Sequence, residues 1–131
     1  MDLYFDLEMM NKNEFIVGDE IEISLTTNIE LKHMVISFFN EQQEKAAFED
    51  KDEGAKFTSI RLEDGKRRYT LTGKIPETCP FGHFIFHRIT YIGTTIGLGL
   101  IWSNKDPDYD HYSDAVYGLE YTPEFDVIKN L

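Results

Sequence analysis

The sequence predicts an all-β protein, an antiparallel β-sandwich of about seven to nine strands. Three observations carry this. Apolar and polar residues alternate in short runs, turn signals separate the runs, and no stretch repeats with the period of a long amphipathic helix. A chain of 131 residues is the size of one domain, here residues 1–131 with a long acidic and aromatic insertion at 94–122.

The elements follow in order. Leu3, Phe5, Leu7 and Met9 alternate with Asp2, Tyr4, Asp6 and Glu8, the period of a strand with one face on a core. Gly18-Asp19 marks a turn, after which Ile21, Ile23 and Leu25 alternate with Glu20, Glu22, Ser24 and Thr26. Leu31 to Phe39 is apolar on both faces and reads as a buried strand. Asn40 to Gly54 reads as an irregular connection with one helical turn, because Asn40 and Gln43 have the spacing of a helix cap. Phe57–Leu62 and Arg67–Ile75 flank Glu63-Asp64-Gly65-Lys66, where Asp-Gly supplies the positive φ of a hairpin turn. Pro76 and Pro80 interrupt the chain, and Gly82 releases it into a strand at His83–Ile92. Ile96–Trp102 adds a strand whose glycines mark bends or close backbone approach, and Glu124–Ile128 forms the last.

Composition excludes several classes. The longest mainly apolar stretch, Ile96–Trp102, is far short of the roughly 20 residues of a membrane helix. The opening carries Asp2, Asp6 and Glu8 where a signal peptide would be basic and then apolar. Cys79 is the only cysteine, so the expected setting is a reducing, cytoplasmic one. The net charge is −11 but unevenly spread: residues 1–56 hold 14 acids and 5 bases, residues 57–101 hold 3 and 6, and residues 102–131 hold 7 and 2. Only Lys66-Arg67-Arg68 clusters bases, so direct nucleic-acid binding is not expected. An acidic surface suits basic partners, divalent cations or solubility.

The phrases FIVGDEIEISL (Phe15–Leu25), YTLTGKIPETCPFGHFIFHRI (Tyr69–Ile89) and EFDVI (Glu124–Ile128) together resemble bacterial immunoglobulin-like sandwiches. The nearest in spirit is the C-terminal polysaccharide-recognition domain of O-antigen exporters. That resemblance implies an immunoglobulin-like fold and glycan recognition. Its motifs punctuate strands and transfer no binding residue.

The segment Trp102–Tyr117 packs four aromatics, four aspartates and His111 into sixteen residues. Exposed rings can stack on the apolar faces of sugars while carboxylates accept bonds from hydroxyls. The expected ligand site is therefore Trp102, Tyr109 and Tyr112 for stacking, with Asp108, Asp110 and Asp114 for hydrogen bonds. Asp106, Asp108 and Asp110 begin like a calcium loop, but His111 stands where glycine is needed and Tyr117 where glutamate is needed. Cys79, His83 and His87 have a zinc-like spacing, yet on a strand the two histidines lie about 13 Å apart along the chain. No nucleophile elbow, phosphate loop or zinc-protease helix occurs, so no metal, no cofactor and no catalytic residue is assigned. The expected function is a non-catalytic module that recognises a glycan or other polar ligand. The alternative is an acidic module gripping a basic protein through Glu41, Glu44, Asp50 and Glu53. A homodimer through the two-sided Leu31–Phe39 strand is a further expectation, and membrane insertion is not.

Overall fold

The computed structural model describes residues 2–106 and 116–129, and among them every regular element is a strand. In chain order these are β1 (Phe5–Met9), β2 (Glu14–Phe15), β3 (Glu20–Thr27), β4 (Leu31–Phe39), β5 (Lys45–Glu49), β6 (Lys56–Arg61), β7 (Arg67–Lys74), β8 (Gly82–Gly93), β9 (Gly97–Ser103), β10 (Val116–Leu119) and β11 (Glu124–Val127). Among the described residues no helix is long and apolar enough to cross a membrane.

One sheet runs β1-β3-β7-β6 and is antiparallel throughout. The other is built on the long strand β8, with β4 and then β5 on one edge. On its other edge β8 pairs β11 through residues 82–85 and β9 through residues 88–93. Two sheets facing each other, with the chain switching between them after β1, β2, β3, β5 and β7, give the immunoglobulin-like sandwich. The chain inserts β9 and β10 between the last two framework strands.

Two features depart from the expectation. The 40–54 segment is not irregular, because Ala46 and Phe48 alternate with exposed neighbours and form β5 against β4. Its acidic surroundings mask a period of two. The Asn40 Oδ1 accepts bonds from the Gln42 and Glu44 amides, and Gln43 adopts a φ of 63°, so the cap-like residues build a tight turn rather than a helix. Nor is the sandwich wholly antiparallel: β11 pairs β2 in parallel, and β10 pairs β9 in parallel. The hairpin at 57–75 forms as expected, with Gly65 at a φ of 88°.

The core is aromatic. The Phe125 ring stacks on Phe84 at 5.2 Å and meets Phe38 edge-on at 4.8 Å and Phe15 at 5.7 Å. These rings come from four strands, so one side chain of β11 ties together β2, β4 and β8. On the opposite sheet, the buried Tyr69 hydroxyl accepts the Leu31 amide at 2.8 Å and joins β7 to the start of β4. At Gly99 a Cβ would collide with the Tyr91 ring, its register partner, which explains a glycine on the inward face of β9.

Truncating a buried phenylalanine loses its transfer energy and leaves a cavity. Phe125→Ala is expected to cost about 3–5 kcal/mol in urea unfolding, while the exposed Ile60→Ala on β6 changes stability by less than about 0.5 kcal/mol.

Candidate functional site

The site begins as a fault in a strand. Along β8 the inward residues are Phe84 and Phe86, then Ile89 and Tyr91, so the alternation slips by one residue. The register shows why: Phe38 pairs Phe86 but Ser37 pairs Arg88, leaving His87 as the extra residue of a β-bulge. On the other edge, Phe86 and His87 fall between the ladder to β11 and the ladder to β9. A bulge bends its strand and increases its twist. Here the two flanking strands part company, and the sheet edge forks.

A cleft of about 500 Å³ opens in that fork, floored by Ile85 and Phe86 and walled by Ser103, Lys105, Asp106, Glu120, Tyr121 and Glu124. Ile85 is 52% exposed and Tyr121 is 63% exposed. On the far side of Tyr121 a second cleft of about 350 Å³ lies between β1 and β10, lined by Tyr4, Asp6, Asn104, Tyr117 and again Glu120. Phe5 packs edge-on against Tyr117 at 5.1 Å, and the Asn104 amide donates to the Leu119 carbonyl at 2.9 Å, which fixes this wall. Both volumes lie in the range of small-ligand sites.

Beside the larger cleft, His83 sits between two carboxylates of β11. Its Nδ1 lies 2.7 Å from Asp126 Oδ1 and its Nε2 lies 2.8 Å from Glu124 Oε1. The backbone amide of His83 donates to Glu41 Oε1 at 2.7 Å. Hydrogen bonds to Glu124 and then Asp126 raise the imidazole pKa above its ordinary value. The imidazolium can donate to both carboxylates at once; the neutral ring can donate to only one.

Trp102 requires a correction. It is 4% exposed and presents no free face for stacking. It lies outside the core cluster, on the outer face of the sheet, where its ring meets His87 at 5.0 Å and the Arg88 guanidinium at 5.9 Å. His87 also touches the Phe39 ring, and burial followed by the Arg88 charge lowers its pKa. Asp108, Tyr109, Asp110, Tyr112 and Asp114 lie outside the described residues. The structure instead brings together Ile85, Tyr121, Glu120 and Glu124, which the sequence reading did not single out. The available signal was the slip in alternation between Phe86 and Ile89.

The alternative acidic set is dispersed. Glu41 is bonded to the His83 amide, Glu44 to the Asn40 side chain, and Asp50 to both the His33 ring and the Met34 amide. Glu44 and Asp50 stand at opposite ends of β5, about 20 Å apart at about 3.4 Å per residue. Glu53 lines a separate hollow with Asp52 and Lys74. Strand β4 is paired on both edges; it buries Met34, Ile36 and Phe38 on one face, while Val35 and Phe39 on the other are partly exposed. Cys79 is buried and its thiol pKa raised by that burial. Among the described residues no group of three or more histidine, cysteine or acidic side chains is placed to share a metal.

A scan with protein-family models gives no match, and a search of curated proteins gives none either. Solved structures do share the fold. A ceramidase complexed with C2 superposes over 98% of this chain with a TM-score of 0.55 and 15% identity. Neutral ceramidase from Pseudomonas aeruginosa does so over 96% with a TM-score of 0.53 and 14% identity. The chain covers 20% and 19% of those proteins, about a fifth of each. At such identities the likeness is one of fold.

The raised His83 pKa has a stability consequence with a definite sign. The favourable contribution is complete below the unfolded value of about 6.5 and is lost as pH rises through the higher folded value. The difference in urea midpoint between wild type and His83→Gln is therefore expected to be largest near pH 5 and to shrink toward about pH 8. A difference that stays constant over that range would show that the clamp does not depend on the imidazolium.

Proposed function

We propose that the protein is a non-catalytic module that recognises a glycan along the two clefts flanking Tyr121. The observation that carries this reading is the exposure of Tyr121, a large ring left 63% in water with a cleft on each side. Burying such a ring recovers roughly 1.5–3 kcal/mol, so a ligand with a flat apolar face gains by covering it. A pyranose ring has such a face on its C–H side, and its hydroxyls need acceptors. Glu120, Glu124, Asp106 and Asn104 surround Tyr121 and supply them. Ile85, half exposed on the floor, adds apolar contact.

The immunoglobulin-like sandwich supports this as scaffold rather than as chemistry. In the ceramidases of similar fold the matched region is one part of a longer chain. The sandwich core here is filled by phenylalanine, isoleucine and leucine, which leaves recognition to the strand ends and the segments that join them.

Trp102 immediately precedes Ser103, a wall of the larger cleft, and its fluorescence is followed alongside calorimetry as a probe of occupancy. Titration with a panel of neutral and charged oligosaccharides is expected to give a saturable change with at least one member. Tyr121→Ala is expected to weaken that binding by about tenfold or more while altering folding stability by less than about 0.5 kcal/mol. Binding that is unchanged in Tyr121→Ala, or no response by fluorescence or calorimetry across the panel, would overturn the reading.

A further inference from the structure

We infer that the glycan taken by these clefts carries free amino groups: a chain of several amino sugars rather than a neutral or anionic polysaccharide. The inference rests on the glycan reading above and adds the charge and length of the ligand.

Charge comes first. Four carboxylates line the two clefts, Asp6, Asp106, Glu120 and Glu124, against the single ammonium of Lys105. Among the described residues neither Asp6 nor Glu120 enters an ion pair. Glu124 gives one oxygen, Oε1, to His83, and its other oxygen remains for a ligand. A uronate or sulfate would meet like charge in a narrow space. Hydroxyls alone would have to repay the desolvation of several carboxylates without bringing a compensating charge. An ammonium repays it with hydrogen bonds in which both partners are charged, adding Coulomb attraction to each bond.

Length follows from the geometry. The two clefts share Glu120 and Tyr121, so a ligand that fills both must cross the exposed tyrosine between them. A single sugar fills one cleft, whereas a chain reaches both. Tyr4, 40% exposed, stands in the second cleft with the Lys66 ammonium over one face of its ring at 4.9 Å, which leaves the other face for stacking. These exposed rings distinguish a sugar chain from a basic peptide, which would match the charge but offers no pyranose face.

The test is calorimetry at mildly acidic pH, where sugar amines are charged, with three probes: a β-linked glucosamine hexamer, its fully N-acetylated counterpart and hexalysine. The glucosamine hexamer is expected to bind about tenfold more tightly than the acetylated one, to weaken as salt rises, and to lose most of its advantage in Glu120→Gln and in Glu124→Gln. Equal binding of the two hexamers would overturn the inference and leave the glycan reading standing. Hexalysine binding as tightly as the glucosamine hexamer would also overturn it, by showing that the clefts read charge alone. Failure of both hexamers, together with no response from the neutral and anionic sugars of the panel, would remove the glycan reading itself.

Discussion

The packing of the Phe125 ring is the contact on which the rest of the structure depends. It lies at the centre of an aromatic cluster drawn from β2, β4, β8 and its own strand, stacked on one partner and edge-on to others. Aromatic pairs favour these geometries because ring faces are negative and ring edges positive, so the arrangement contributes direction as well as buried area. Strand β11 has only four residues, and its ladders to β8 and β2 are short. Without the ring there is little to set its position along the sheet edge.

That placement matters for the clefts because alternate residues of a strand point to opposite faces. With Phe125 pointing inward, Glu124 and Asp126 point outward, one on each side of His83. Core and clamp are two faces of the same three residues. Together they hold Glu124 at the mouth of the fork, while the bulge at His87 turns β9 away and opens the gap. The polar wall is thus set by a rigid strand, and Tyr121 comes from the segment that joins β10 to β11.

The sandwich was legible wherever burial is one-sided. Strands β1, β3, β7 and β11 announce themselves by alternation, and the β6–β7 turn by Asp64-Gly65. Strand β5 was hidden because only Ala46 and Phe48 face inward, among acids and glutamines that read as a loop. The clefts were hidden for a different reason. Ile85, Glu120, Tyr121 and Glu124 meet only because β8 changes partners midway, and pairing between distant strands leaves no local signature. Trp102 misled because a tryptophan beside aspartates resembles an exposed platform. Its burial comes with the β8–β9 register, which sets it opposite Arg88 and beside His87.

The parallel pairing of β2 with β11 joins residues 14 and 15 to residues 126 and 127, nearly the whole described chain apart. Folds rich in such distant contacts form slowly, since chain entropy is given up before the contacts that repay it are made. During synthesis β11 is the last of the described strands to leave the ribosome, and it carries the ring at the centre of the core. Phe15, Phe38 and Phe84 must wait uncovered until it arrives. In the growing chain these strands therefore have exposed apolar faces, and that interval is when the protein is most open to aggregation and to capture by chaperones.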